Sequence, residues 1–125
     1  MLYYTSLMFI SLIFHGYYHS DTGTVILFSL LTPCSCLNHL MYETHHPHYR
    51  YINVVDKSLA HVSVLVPFVL SVMYDKDIFV IVSCLYVGIV YRLNQRYKYD
   101  SLLVHATIHL MGTLGYHRWL AIKND

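Results

Sequence analysis

The stretch Thr24-Val-Ile-Leu-Phe-Ser-Leu-Leu-Thr-Pro-Cys-Ser-Cys-Leu-Asn-His-Leu-Met41 decides the fold class, because it contains no Asp, Glu, Lys or Arg. A helix rises about 1.5 Å per residue and needs about 20 mostly apolar residues to cross the hydrocarbon core of a bilayer. This stretch approaches that length without interruption. It therefore predicts a transmembrane helix.

Four further apolar segments lie on either side of this one, at residues 2–18, 59–74, 78–91 and 102–122. The segments at 59–74 and 78–91 are short for a full crossing, so the latter is read either as a span or as part of a hairpin that enters the bilayer partway. The pattern predicts an all-α integral membrane helix bundle with about five transmembrane helices. Residues 1–125 are expected to form a single transmembrane domain.

The composition agrees with a chain embedded in lipid. Hydrophobic residues make up 56% of the sequence and charged residues 12%, whereas soluble domains carry about 25% charged residues. The 13 tyrosines gather at the ends of the apolar segments, as expected for residues of the membrane interface. With 8 Lys and Arg in all, the chain has no basic patch of the kind that binds nucleic acid.

The charged residues between the segments indicate an orientation. If all five segments span, the N-terminus, the second loop and the fourth loop share one side, and more cations lie there than on the other. This side is predicted to be cytoplasmic, with the C-terminus outside or in a lumen, and its cations are Arg50, Lys57, Arg92, Arg96 and Lys98. The first segment has no basic residue before it and is read as a retained helix, not a cleaved signal.

Ten histidines are the unusual feature of so apolar a chain. Ionisable side chains at membrane depth are costly and usually face a site or a water-filled cavity. His105 and His109 are four residues apart, so on a helix both rings project from one face, one turn apart. This is the spacing of two ligands of one metal ion, although hydrogen bonds to neighbouring helices would also account for the pair.

Two more groups of polar residues lie near segment ends. Ser35 and His39 are again four apart on one helix face. Asp56 precedes the third segment, where on its own it is read as a helix N-cap. With five spans, His39, Asp56 and the His105–His109 pair fall at the same membrane face. Three neutral imidazoles and one water form a tetrahedral zinc site with an open position.

These motifs resemble a superfamily of seven-helix membrane proteins. It includes the alkaline ceramidases, the progestin and adipoQ receptors, the hemolysin III proteins, and the transmembrane-8 and myomaker group. The resemblance lies in Ser-x-x-x-His ending one helix, Asp-x-Ser opening the next, and His-x-x-x-His in the last. It implies a Zn²⁺ ion held by His39, His105 and His109, with Ser35 and Asp56 attending the zinc-bound water.

The chain departs from that superfamily in length, because five segments replace seven helices. Loss of two helices between the fourth and the last preserves the sidedness of the histidine pair but removes part of the wall of a lipid cavity. The lipid bilayer and a lipid substrate or ligand are the expected partners. A second copy of the chain, or another protein, is the expected source of the missing helices.

Three functions remain open at this stage. The first is a zinc-dependent membrane hydrolase of a lipid amide or ester, as the ceramidases imply, with Asp56 as proton acceptor and Ser35 at the oxyanion. The second is a non-enzymatic receptor or membrane-remodelling protein stabilised by zinc. The third is a di-iron lipid oxygenase, which would use three histidine groups on one membrane face: His15 with His19, His39 with His45 and His46, and His105 with His109.

The remaining histidines have simpler interpretations. The loop histidines His45, His46 and His48 are read as an interfacial polar cluster, with a second metal site as the alternative. His61 is a candidate supporting residue beside Asp56, and His117 is expected at the opposite interface.

Overall fold

The computed structural model describes residues 5–97 and 102–123, and in those residues the chain is helical, with no strand. We number five α-helices in chain order and find one π-helical turn after the third. The helices are α1 (Phe9–Tyr18), α2 (Thr22–Glu43), α3 (Tyr49–Leu70, continued by the π-helical turn Ser71–Asp75), α4 (Ile78–Tyr97) and α5 (Leu102–Lys123). Residues 2–4 of the first predicted segment, and Lys98 of the predicted orientation, lie outside the described residues.

Two compact units make up the chain, an N-terminal unit (Met1–Val62) and a C-terminal unit (Ser63–Asp125). The boundary between them falls inside α3. The N-terminal unit contains α1, α2 and the first half of α3, and the C-terminal unit contains the rest.

In the N-terminal unit, α1 packs against α2 as a tight helical hairpin. The Phe9 and Phe28 rings lie 5.8 Å apart between centroids. At Gly16 a Cβ atom would come within 2.8 Å of the Thr24 side chain, so the two backbones approach closely only because that residue is glycine. The Asp21 carboxylate accepts a 3.1 Å hydrogen bond from the Thr24 amide and caps α2, which fixes the turn between the helices.

The third helix begins ten residues earlier than the hydropathy pattern predicts, at Tyr49 instead of residue 59. The polar residues before 59 end the apolar run, but polarity does not end a helix when the backbone hydrogen bonds continue. The interpretation of Asp56 as an N-cap is therefore wrong, since seven residues, about two turns, separate it from the first residue of α3. The loop before α3 shortens to Thr44–His48.

In the C-terminal unit, α4 and α5 form a second hairpin. A Cβ atom on Gly115 would lie 2.7 Å from the Ser83 Cβ, so small residues allow close contact of the two helices. The Tyr86 hydroxyl lies 2.9 Å from Thr107 Oγ1, and an Arg118–Asp77 ion pair joins α5 to the start of α4 at 3.2 Å. Helix α4 continues to Tyr97, beyond the predicted end at residue 91.

Two helices among the described residues are long and apolar enough to cross a membrane, by length and composition. They are Thr22–Tyr42, within α2, and Tyr49–Asp75, which is α3 with its π-helical turn. Helix α4 contains a shorter apolar stretch, Ile78–Asn94. The five spans and their orientation stay predictions.

Candidate metal centre

Helix α2 carries three polar residues on its C-terminal half that are buried. Ser35, Asn38 and His39 are 2%, 6% and 8% exposed. Ser35 and His39 are one turn apart, and Asn38 lies three residues after Ser35, so all three side chains leave the helix on neighbouring faces. Burial of polar side chains is costly unless they are hydrogen-bonded, which makes their partners informative.

The Asp56 carboxylate on α3 is the hydrogen-bond partner of one of these side chains, Asn38. Asn38 Nδ2 donates a 2.9 Å hydrogen bond to Asp56 Oδ2. Ser35 Oγ lies 2.7 Å from the Oγ of Ser6, a fully buried residue. We call Ser6, Ser35, Asn38 and Asp56 the Asp56 cluster. It lies wholly in the N-terminal unit, and it places a carboxylate near the start of α3 beside the end of α2.

Helix α5 of the C-terminal unit carries the predicted histidine pair. The His105 and His109 rings lie 4.8 Å apart between centroids and are almost perpendicular, at 89°. His109 is 8% exposed and His105 is half-buried. The spacing of four residues thus produces two neighbouring imidazoles on one helix face, as the sequence predicts.

His39 lies in the N-terminal unit, whereas His105 and His109 lie in the C-terminal unit. These three imidazoles are the donor set that the resemblance implies for a metal ion. The donor set suits zinc, since neutral imidazoles are common zinc ligands and three of them leave a fourth position for water or substrate. These are the ligands that the resemblance to the seven-helix superfamily implies, and their binding of zinc stays a prediction.

The loop histidines are arranged differently. His46 Nδ1 accepts a 3.1 Å hydrogen bond from the His48 amide, and both residues are exposed. A nitrogen that accepts a hydrogen bond does not bind metal, and the other ring nitrogen of a neutral His46 carries the proton. This geometry favours the interpretation of His45, His46 and His48 as a polar cluster, not a metal site.

Two further histidine groups lie on α3 and α1. His61 is exposed and its Nδ1 lies 2.6 Å from the Lys57 carbonyl oxygen of its own helix, so this ring nitrogen is the donor. His15 and His19 form a second pair on α1, with ring centroids 5.0 Å apart. This pair resembles His105–His109 in spacing and ring separation.

Sequence reasoning did not select two members of the Asp56 cluster. Asn38 has a local signal, because it directly precedes His39 and lies three residues after Ser35. No local sequence signal marks Ser6, because a serine in an apolar segment is common and its hydrogen-bond partner is 29 residues away. Only the packing of α1 and the residues before it against α2 brings Ser6 to Ser35.

No family profile, no curated protein and no solved structure matches this chain. The resemblance to the seven-helix superfamily therefore rests on Ser35, His39, Asp56, His105 and His109 and on their order along the chain.

Proposed function

We propose that the protein is a membrane-bound, zinc-dependent hydrolase that cleaves an amide or ester bond of a lipid. The observation that carries the proposal is the Asp56 cluster, in which the carboxylate accepts a hydrogen bond from Asn38, the residue before His39, together with the neighbouring imidazoles of His105 and His109 on α5. His39 and Asn38 are consecutive residues, so one helix end contributes to both groups. A metal site that only stabilises a fold has no need of a neighbouring general base.

The location in a membrane is supported by the surface of α3. In the most apolar part of Tyr49–Asp75, 11% of the residues are buried, although a core helix of a soluble protein is mostly buried. Large apolar side chains along this helix are exposed, among them Val54, Val62, Leu65, Val69 and Met73. Exposed apolar surface of this extent suits a lipid environment. A lipid substrate would reach the site without leaving the bilayer.

The reaction assigns a role to each side chain of the site. A zinc ion held by the three histidines would supply Lewis-acid chemistry, because it lowers the pKa of a bound water and polarises an acyl carbonyl. The Asp56 carboxylate accepts a proton from the attacking water and later gives it to the leaving amine or alcohol. The Ser35 hydroxyl donates a hydrogen bond to the carbonyl oxygen as that oxygen gains negative charge. Asn38 holds the carboxylate in place.

The substrate class follows from the resemblance and from the setting. The ceramidases imply an acyl amide such as that of ceramide, and the Asp56 proton serves equally for an amine or an alkoxide leaving group. We therefore expect amides and esters of long-chain acids to be the substrates to screen first.

The first experiment measures the metal content of the detergent-purified protein. We expect about one zinc per chain in the wild type and its loss in the double variant His105→Ala/His109→Ala, because two of three ligands are removed. The matched control is His15→Ala/His19→Ala, which removes the other pair with the same spacing and should retain zinc.

The outcomes of this experiment separate the interpretations. Zinc that depends on His105 and His109 supports the site and justifies the screen of acyl lipids. A folded wild-type protein without metal contradicts the proposal. Two irons per chain would favour the oxygenase.

One observation favours a second candidate, a zinc-stabilised protein without enzymatic activity. The Asp56 cluster is partly buried, and its hydrogen bonds connect α2 to both α3 and Ser6. Such a cluster stabilises a fold whether or not it acts on a substrate. Under this candidate the zinc result is the same, but no acyl lipid is hydrolysed and Asp56 variants lose stability alone.

A further inference from the structure

The side-chain amide of Asn38 has a partner at one end and an open acceptor at the other. Its Nδ2 donates a 2.9 Å hydrogen bond to Asp56 Oδ2. An ionised carboxylate only accepts hydrogen bonds, so this contact fixes Nδ2 toward Asp56 and directs Oδ1 elsewhere. Asn38 is 6% exposed. Its Oδ1 is buried and has no hydrogen-bond donor among the residues that the structure describes.

A buried acceptor without a donor is costly, and in a native protein such an atom needs an explanation. Another asparagine of the same unit shows the usual arrangement, because Asn53 Oδ1 accepts from the Tyr49 hydroxyl at 3.4 Å. The group that completes Asn38 Oδ1 must be an N–H or O–H, since an amide oxygen carries no proton. The neighbouring Asp56 carboxylate is an acceptor too, so this part of the N-terminal unit favours a donor over a group that only accepts.

We propose that Asn38 is a specificity-determining residue whose Oδ1 accepts a hydrogen bond from the N–H of a lipid acyl amide. The choice of an acyl lipid rests on the proposed function, whereas the open acceptor does not. An acyl amide has an N–H beside its carbonyl, and an ester has an oxygen in that position. A bound ester leaves Oδ1 unpaired, and a site built to bind an N–H rejects analogues that lack it. The expected substrates therefore narrow from amides and esters to amides.

The same contact also serves the reaction. One carboxamide holds Asp56 through Nδ2 and the substrate N–H through Oδ1, so the amide nitrogen is kept next to the carboxylate. In the proposed reaction Asp56 gives its proton to this nitrogen as the carbon–nitrogen bond breaks. Asn38 thus positions the leaving group and the proton donor together.

The test compares two ligands that differ at one position. The first is an N-alkyl fatty amide, and the second is the ketone of equal chain lengths in which CH₂ replaces the N–H. Each is added to the full-length protein in detergent, and its dissociation constant is measured from the shift of the thermal unfolding midpoint with ligand concentration. Mass spectrometry of the mixture shows whether the amide is still intact.

Asn38→Leu removes the acceptor with little change in side-chain volume. We define the amide preference as the dissociation constant of the ketone divided by that of the amide, and we expect it to fall by about tenfold to a hundredfold in this variant. Partition into detergent and the lost contact with Asp56 affect both ligands alike, so they cancel in this comparison. The matched control is Asn53→Leu, which removes an asparagine oxygen that already has a donor and should keep the wild-type preference.

The wild-type chain provides a second measurement if Asn38→Leu does not fold. After correction for the measured partition of each ligand into detergent, the amide should bind about tenfold to a hundredfold more tightly than the ketone and the matched ester. Equal affinity for the three ligands overturns the proposal. So does a preference that Asn38→Leu leaves unchanged, or one that Asn53→Leu lowers equally.

Binding and hydrolysis are separate readouts of this experiment. An amide that binds with a preference dependent on Asn38, but is recovered intact, removes the proposed hydrolase and supports the binding role of Asn38. Hydrolysis of acyl lipids without that preference supports the hydrolase and overturns the role of Asn38.

Discussion

At the scale of single residues, Asp56 offers a test that distinguishes the proposed hydrolase from a protein without enzymatic activity. Asparagine has the shape of aspartate and keeps an oxygen that accepts from Asn38 Nδ2, so Asp56→Asn should fold and retain zinc. In the proposed reaction, asparagine at this position could not accept the proton of the attacking water. We expect hydrolysis to fall by about a hundredfold or more, measured as kcat on the substrate identified by the screen.

The control for this variant is Asp75→Asn, which removes an exposed carboxylate at the end of the π-helical turn and should leave the rate unchanged. An Asp56→Asn enzyme with wild-type kcat would show that another group accepts the proton.

Spacing on a helix is the part of the site that the sequence specifies at this scale. Residues four apart share a face whatever the tertiary structure, so the neighbouring rings of His105 and His109 are predictable from two positions. The contact between Ser6 and Ser35 depends on how the beginning of the chain packs on α2, and no local pattern encodes that. For Asn38, the position beside His39 can be read from the sequence, but the hydrogen bond to Asp56 cannot.

At the scale of helices, the close contact of α4 and α5 depends on Gly115. A methyl group there would lie 2.7 Å from the Ser83 Cβ, so the helices must separate. We expect Gly115→Ala to lower stability by about 1–3 kcal/mol, measured as the shift of the thermal unfolding midpoint in detergent.

Gly88→Ala on α4 is the matched control, because a Cβ atom there meets nothing within 4 Å. Alanine is the better helix former by about 0.5–1 kcal/mol, so this variant should be as stable as the wild type or more stable. Destabilisation of equal size in both would mean that helix contact is not the cause.

Helix type was predictable from hydropathy, but helix boundaries were not. A hydropathy pattern marks where apolar side chains end, and a helix ends where its backbone hydrogen bonds end. In α3 these points differ by ten residues, because the turns from Tyr49 to Ser58 continue the helix with polar side chains. Because α3 begins at Tyr49, Asp56 lies inside the helix and is not its N-cap. From there its carboxylate accepts a hydrogen bond from Asn38 of α2.

At the scale of the whole molecule, α2 and α3 have the length and apolarity that crossing a membrane requires. Helix α5 is longer than the apolar stretch of α4 but carries His105, His109 and Thr113 among its buried or half-buried residues. A helix that contributes polar ligands to a site has lower hydropathy. A membrane span at α5 would therefore be harder to recognise from the sequence than one at α3.

The final prediction tests whether α3 crosses a bilayer. Val62 lies at the middle of Tyr49–Asp75 and is 48% exposed, while Tyr51 lies near its beginning and is 72% exposed. In water, lysine at either surface position would change stability little. At the centre of a bilayer, lysine costs about 3 kcal/mol more than an apolar residue, which lowers the insertion equilibrium about a hundredfold. Near the interface a lysine extends its ammonium group to the headgroups at little cost.

We therefore expect Val62→Lys, but not Tyr51→Lys, to reduce translocation of the turn at Lys76. The measurement is the glycosylated fraction of full-length chains that carry an acceptor site inserted in that turn. A large decrease of the glycosylated fraction in Val62→Lys, with a wild-type fraction in Tyr51→Lys, would show that the cost of lysine depends on its depth. A hydrocarbon layer imposes such a dependence, and water does not. Equal glycosylation of the two variants and the wild type would mean that Val62 does not lie in a bilayer. The exposed apolar surface of α3 would then need a protein partner to cover it.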